Sequence, residues 1–372
     1  MDGRAARRAL SSSIVCLVAG CVPSHRMTPE LATGRSCPEP ADAWYFPAEA
    51  SDNRVLEDWC ASVGPPVLVS RPSGAFSDLE PGAELTALSW NVAAGAGDLR
   101  QFLQHEVDLR CAGPQSVLEP GAGHFALLVQ EAFRRSSEVP EASDASVIPR
   151  AVAEEGRPGG RPDIVEVAGQ CGLALVYVAA ARNGDGSDGG MREDRGVAIL
   201  STLPLSDVWF IELPYEAARR VAVAATVRDA AGRGVRLVNV HLTSAPPPAR
   251  MLATGSGSRL RQSLAVADAL GLLEETGRST GSEDDGGPTT LLGGDFNTWS
   301  DSETALIHLR DRFPDSPPAL DLPTRGAFPT DHILVREGPV GSPEALDASY
   351  ARVEERYHSD HHGIRLDVRF PR

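Results

Sequence analysis

A set of polar side chains closes apolar runs in this sequence, and its members are the types that hydrolysis of an anionic ester requires. Asn91 ends Leu88-Ser89-Trp90-Asn91, and Glu131 ends Leu127-Leu128-Val129-Gln130-Glu131. In Leu237-Val238-Asn239-Val240-His241-Leu242 the even positions are apolar, so Asn239 and His241 emerge on one face of an extended chain. Asp295 and Asn297 follow Leu291-Leu292-Gly293-Gly294, Asp331 opens Asp331-His332-Ile333, and His358, Asp360, His361 and His362 crowd one short stretch. A phosphodiester repels nucleophiles, so a cation must neutralise phosphoryl and leaving-group oxygens while a base positions and deprotonates water. Glu131 is the hard oxygen ligand, with Asn91 or Asp360 completing or orienting the sphere, as Mg²⁺ prefers. Asp295 and His361 are both candidates for the base, and Asp331 would fix the His361 tautomer and raise its basicity. Asn297 would bond the phosphate or the nucleophile, and His241 would stabilise or protonate the leaving oxygen. Arg219 or Arg220 would clamp a non-bridging oxygen through its fork of donors. Any one of these residues alone reads as a turn cap or a solvated loop. Their joint, ordered appearance at separate strand ends carries the reading.

The elements that must position them are short β-like runs between Gly- and Pro-rich loops: 85–92, 125–130, 173–180, 197–201, 221–228, 235–242, 290–292, 331–335 and 364–370. Alternation through Val221, Val223, Ala225 and Val227, and through Ile364, Leu366, Val368 and Phe370, predicts strands with one buried face. A helix is predicted from Ser258 to Gly277, since Leu260, Leu264, Ala267, Leu270 and Leu273 share a stripe; residues 98–110 are a weaker candidate. Residues 136–162, 182–194 and 275–289 read as surface loops.

The 372 residues allow two domains or one large α/β domain, and 42% apolar with 23% charged residues is ordinary globular usage. The net charge is −16, and all 35 basic residues are Arg. Such a chain repels polyphosphates unless a metal ion and local Arg offset the field, which argues against tight non-specific DNA binding. Without Lys there is no lysine nucleophile or Schiff base. Residues 1–21 read as an export signal, with Arg4, Arg7 and Arg8 before a short apolar stretch. It ends in Val18-Ala19-Gly20-Cys21, which resembles a bacterial lipobox and implies lipidation at Cys21, with an ordinary secretory signal as the alternative. Residues 22–80 read as a tether and irregular segment whose Trp44, Tyr45, Phe46 and Trp59 pack onto the main domain, assigned to 81–372. Beyond Cys16 and Cys21, the four cysteines at 37, 60, 111 and 171 allow three pairings; loop closure favours Cys37 with Cys60 and Cys111 with Cys171.

The ordered set resembles the endonuclease/exonuclease/phosphatase superfamily over about residues 85–370. The matching pieces are Ser89-Trp90-Asn91, Gln130-Glu131, Gly196 to Ser201 with Pro204, Val238 to Leu242, Gly294 to Asn297, Asp331-His332-Ile333 and Ser359-Asp360-His361. The Arg259 and Gln262 pair is similar to a recurrent family feature. The resemblance implies an α/β fold, a four-layer α/β/β/α sandwich of two mixed β-sheets, with the site where strand termini converge. Gly363 stands where the family often has Pro, and Thr330 where an apolar residue is common; neither removes a catalytic group. The expectation is an exported, lipid-anchored, Mg²⁺-dependent phosphodiesterase, with Mn²⁺ or Ca²⁺ as alternative ions. Nucleic acid is the first substrate, and a phospholipid, sphingolipid or small-molecule phosphoester the second. A non-catalytic surface lipoprotein is the rival, and it requires Asp295 and His361 to point away from any shared cleft.

Overall fold

The computed structural model describes residues 27–30, 43–47, 50–141, 160–183, 192–216, 218–244, 256–278, 287–320 and 322–372. Two seven-stranded mixed sheets dominate them. The first runs in the order β1 (Met27–Glu30), β2 (Ala43–Pro47), β10 (Ser206–Glu212), β11 (Val221–Arg228), β12 (Gly234–His241), β13 (Thr289–Asp295) and β14 (Asp331–Arg336). The second runs β15 (Glu344–Arg352), β16 (Ile364–Arg369), β4 (Glu84–Asn91), β7 (His124–Arg135), β9 (Glu193–Ser201), β8 (Ala174–Arg182) and β3 (Val67–Val69). A small ribbon joins β5 (Leu109–Arg110) to β6 (Val117–Leu118).

Side-chain alternation sets the layers. Leu85 and Ala87 of β4, Leu237 of β12, Leu291 of β13 and Ile333 of β14 meet in the gap between the sheets. The opposite parity of the first sheet, including Val238, Val240 and Leu292, packs beneath α4 (Ser256–Arg278) and α5 (Thr304–Arg312). On the far side Leu88, Trp90, Leu127 and Val129 meet α2 (Leu99–Glu106) and α3 (Ile164–Cys171). Both sheet faces are thereby buried, which is why the strands read as near-continuous apolar runs. The result is the expected α/β/β/α sandwich.

Residues 22–80 depart from the irregular segment expected. Their described part includes β1, β2, β3 and α1 (Ala50–Cys60), and β2 pairs in parallel with β10. Trp44 and Tyr45 are core residues, Trp44 meeting Phe210 edge-on between the sheets. Too few residues per strand were available for alternation to show. Cys111 and Cys171 form a disulfide, and Cys60 is disulfide-bonded as well. Cys37, Cys21 and the whole of 1–21 lie outside the described residues, as do 142–159, 184–191 and 279–286 of the expected loops. Among the described residues no helix is long and apolar enough to cross a membrane.

Candidate active site

Parity delivers the site. Asn91 continues the inward face of Leu85, Ala87 and Ser89; His241 that of Leu237 and Asn239; Asp295 that of Leu291 and Gly293; Asp331 that of Ile333 and Val335. Register brings them to one end of the sandwich. His241 pairs opposite Asp295, Asp295 opposite Asp331, Asn91 opposite Gln130, and Ser89 opposite Ile364 just beyond His361. Four polar groups thus replace the apolar core at the mouth of the inter-sheet gap.

Glu131 needs a further device, because regular alternation after Gln130 would turn it toward the helices. A β-bulge between Gln130 and Ala132 resets the register, and Glu131 takes φ +55°. Bulges re-aim a side chain at a functional edge. The Glu131 carboxylate comes within 3.9 Å of His241 Nε2 and 3.6 Å of Arg195 Nη1. No described group hydrogen-bonds it, and it is 25% exposed. Gly294 solves a second local problem: at φ +149° a Cβ there would meet Val240 O at 1.9 Å. Only glycine lets β13 run beside β12 and place Asp295 next to His241.

Asp295 lies at the centre. Asn91 Nδ2 donates to its Oδ2 at 2.9 Å, and the Asn297 backbone N–H donates to its Oδ1 at 2.8 Å. His241 Nε2 is 3.5 Å and His361 Nε2 3.8 Å from Oδ2. Full burial, then the nearby Asp331 charge, push the Asp295 carboxyl up to about 7, against His361 and the two hydrogen bonds. His361 Nδ1 donates to Asp331 Oδ2 at 2.8 Å, and Thr330 Oγ1 donates to the same oxygen at 2.8 Å. Burial acts to lower His361, but Asp331 and then Asp295 and Asp360 overturn it and push the imidazole up to about 9. Burial likewise acts to raise Asp331, and the facing His361 charge and hydrogen bonds hold that carboxyl below its ordinary range. Ligand atoms, one each from Asp295, Asp331 and His361, lie within 4.8 Å of one another, a grouping that could hold an ion.

His241 is of a different kind. Arg220 Nη1 lies 3.1 Å from its Nδ1. A guanidinium only donates, so Nδ1 is the acceptor and the proton sits on Nε2, facing Asp295 and Glu131. Burial first, then Arg220 and His361, hold His241 well below the ordinary imidazole range. Burial pulls Arg220 down to about 10, with Glu131 opposing, and its Nε is buried without a hydrogen-bond partner.

The expected site residues therefore form one contact network, from Glu131 through His241, Asp295 and Asn91 to His361, Asp331 and Asp360. Asp360 Oδ1 is 3.8 Å from His361 Nε2, while its Oδ2 takes bonds of 2.9 and 2.8 Å from Arg325. Asn297 at φ +53° spends one amide hydrogen on Leu242 O at 3.0 Å. Arg219 does not join them: it is buried against both oxygens of Glu212 at 2.8 and 2.9 Å, so of the two arginines Arg220 is the one that reaches the network, at His241. Asn239 shares the His241 face but stays in the core, where Gln130 Nε2 donates to its Oδ1 at 2.7 Å and its own amide reaches Val129 O and Ala198 O. It fastens one sheet to the other beneath the site. His332 bonds Thr298 at 2.9 Å and, with burial the leading cause, is held down to about 4. Gln262 Oε1 accepts from the Thr243 N–H at 2.8 Å, and Arg259 pairs with Glu303, so both fix loops behind the site.

Sequence reading missed Arg195, Arg325 and Thr324, and it quoted Ser359 in a matching motif without giving it a role. Arg325 carries its charge above the ordinary value despite burial because Asp360, Asp295 and Glu131 surround it. Thr324 Oγ1 accepts the backbone N–H groups of Thr330 and Asp331 at 3.0 Å each, and Ser359 Oγ donates to Asn91 O at 2.6 Å. Arg325 and Thr324 sit in Pro- and Gly-punctuated chain with no period to flag them.

Residues 88–361 match the model of the Endonuclease/Exonuclease/phosphatase family. Among solved structures, the human Nocturnin catalytic domain with bound sulfate is 14% identical, covering 80% of this chain and 98% of its own, at TM-score 0.48. An endonuclease/exonuclease/phosphatase from Beutenbergia cavernae is 15% identical over 78% of this chain and 72% of its own, at TM-score 0.46. Sphingomyelinase C from Streptomyces griseocarneus is 14% identical over 77% of this chain and 99% of its own, at TM-score 0.39. Identities this low assign no substrate. No curated protein matches the sequence. The match spans every strand-end residue of the network from Asn91 to His361, and the chain belongs to the Endonuclease/Exonuclease/phosphatase family, a family of phosphoesterases.

Proposed function

We propose that the chain is a divalent-metal-dependent phosphodiesterase that acts by in-line attack of water without a covalent intermediate, with nucleic acid as its first substrate class. The observation that carries this reading is the unbroken run Asp331–His361–Asp295–Asn91, with His241 and Glu131 on its open side. A scaffold has no use for opposed, buried acid and base groups 3.8 Å apart.

Asp295 is the base in this reading, because a carboxyl held near 7 accepts a proton at neutral pH, whereas His361 near 9 is already charged. The two hydrogen bonds to Asp295 hold it in one rotamer, so its orientation is set before substrate arrives. His361, steadied by Asp331, presents its Nε2–H to charge developing on the phosphoryl oxygens. His241, neutral and with its proton placed on Nε2 by Arg220, is the donor to the leaving oxygen. Glu131 would hold the ion: it offers hard oxygens and no described hydrogen bond saturates them. Asn91 Oδ1 already accepts the Ala93 N–H and Asp360 is tied to Arg325, so these two are the weaker ligands of the three. When bound, Mg²⁺, or Mn²⁺ or Ca²⁺ in its place, neutralises charge at the phosphoryl group.

The test is hydrolysis of bis-p-nitrophenyl phosphate and plasmid DNA with Mg²⁺, with EDTA, and with Asp295→Asn or His361→Ala. Metal-dependent cleavage of both, lost in either variant, supports the reading. Cleavage of the small ester alone moves the substrate to lipid or small-molecule phosphoesters, and turnover unaffected by both substitutions overturns the site. We also propose that residues 1–21 direct export and that Cys21 carries a lipid, which the lipobox-like sequence alone supports.

A further inference from the structure

Two aromatic rings lie beside Arg325, the guanidinium that joins the network described above through Asp360. Trp299 lies two residues beyond Asn297, and Phe328 three residues before Asp331. Their rings stack at a tilt, centroids 4.9 Å apart and planes at 32°. Phe328 remains 40% exposed, one of few large apolar side chains left in solvent among the described residues.

The backbone that carries each ring is fixed by hydrogen bonds. The Phe328 N–H donates to Arg325 O at 2.9 Å and the Arg325 N–H to Phe328 O at 3.1 Å, closing a tight turn. Thr324 O accepts from the His362 N–H at 2.8 Å, and Arg325 bridges the backbone of His361. On the other side, the Trp299 N–H donates to Glu303 Oε2 at 3.1 Å, and Glu303 pairs with the buried Arg259. Arg325, on the same turn as Phe328, reaches Asp360, whose second oxygen lies 3.8 Å from His361 Nε2. A fixed turn thus offers a cation and an aromatic face beside the point where phosphate must sit.

From this arrangement we propose that Trp299, Phe328 and Arg325 form a subsite for a planar ring on the ester group flanking the scissile phosphate, the ring stacking on the two aromatics and Arg325 taking an anionic oxygen. The inference rests on the phosphodiesterase reading and adds to it the chemistry of the substrate: a nucleoside or aryl ester over an alkyl one. Stacking on side-chain rings accepts any planar π-face, so the preference is for a ring and not for a base sequence.

The test compares p-nitrophenyl thymidine 5′-phosphate, p-nitrophenyl phenyl phosphate and p-nitrophenyl methyl phosphate, which share a leaving group. The wild-type protein should favour both ring-bearing esters in kcat/KM by about ten- to a hundredfold. Trp299→Ala and Phe328→Leu should erase that preference through KM while leaving the methyl ester unchanged, and thermal melts check that both remain folded. A preference for the thymidine ester alone assigns the nucleoside as the source of the ring, and equal preference assigns any aryl group. Binding of thymidine 5′-monophosphate, followed by quenching of tryptophan fluorescence, gives an arm independent of turnover and should weaken about tenfold or more in Phe328→Leu. Turnover of all three esters at equal kcat/KM overturns the subsite and leaves the phosphodiesterase reading standing. Loss of all turnover with nucleotide binding intact refutes that reading and keeps the subsite. Reduced association with sphingomyelin vesicles in Phe328→Leu, with the ring preference unchanged, would replace the subsite by a lipid contact.

Discussion

Asp331→Asn isolates the charge that holds His361 protonated. In the folded protein burial acts to lower that imidazole, and Asp331 is the leading influence that carries it up to about 9. The amide keeps the shape and can still accept the Nδ1–H, but its charge is gone and the burial penalty stays. With Asp295 and Asp360 left to oppose burial, His361 should fall back toward its ordinary value near 6.5, a loss of about 3 kcal/mol on the imidazolium. At pH 8 the charged fraction drops from about nine-tenths to a few hundredths, so catalysis dependent on it should fall roughly thirtyfold from this cause alone. The sign is definite: wild-type activity should rise with pH through about 7 as Asp295 loses its proton and decline through about 9 as His361 loses its own. These limbs belong to the coupled pair and not to either residue alone. An ion bound at Glu131 would move the lower limb to lower pH. In Asp331→Asn the upper limb should move down into the lower one and the bell collapse. Histidine-labelled NMR titration and kcat/KM against pH both read this out. An upper limb still near 9 in the variant would refute the argument that Asp331 supports the imidazolium. A further cost is expected, because Asp331 Oδ1 is buried without a partner and an amide N–H there would be equally unpaired, at about 1–3 kcal/mol of stability.

Asp295→Asn should lower kcat by about 10²- to 10⁴-fold with KM little changed, and the pH limb near 7 should vanish from kcat/KM profiles. Glu131→Gln should raise the Mg²⁺ concentration needed for half-maximal activity by at least about tenfold while leaving the melting temperature in place, measured by metal titration. Asn239→Leu should lower stability by about 2–4 kcal/mol, because Gln130 Nε2 loses its 2.7 Å acceptor and the Val129 and Ala198 carbonyls lose their side-chain donor; urea unfolding checks it. Cys21→Ala should release the protein from sedimented membranes; retention there would end the lipobox proposal.

Much of this architecture is legible in the sequence where one property repeats. The runs ending at Asn91, His241 and Asp295 show their strands because both faces are apolar and the polar residue marks the end. The β15 strand is silent for the opposite reason: at the sheet edge most of its residues are exposed or half-buried, and neither alternation nor an apolar run survives. The helices α3 and α5 span only 8 and 9 residues, too few turns for a stripe to declare itself beside neighbouring loops. Within the site, carboxylates and imidazoles announce themselves by type. The bulge that turns Glu131 inward does not, since it is set by pairing with β9 some sixty residues on. Nor does the choice between Arg219 and Arg220, adjacent in sequence, which falls to the buried Glu212 opposite.

The place of β16 has a kinetic meaning. It lies inside its sheet, between β15 and β4, and its residue Ile364 pairs with Ser89, so one of the closing contacts joins β16 to the much earlier β4. His361 stands just before that strand. A nascent chain can pair β4 through β14 and still lack an imidazole for Asp331, because His361 follows all of those strands in sequence. Pairing across such a separation is slow, since loop closure must precede any gain from contact. Recovery of turnover on refolding should consequently lag recovery of far-UV ellipticity. Until β16 docks on β4, Asp331 lacks its imidazole partner and the network on which the proposed chemistry depends stays open.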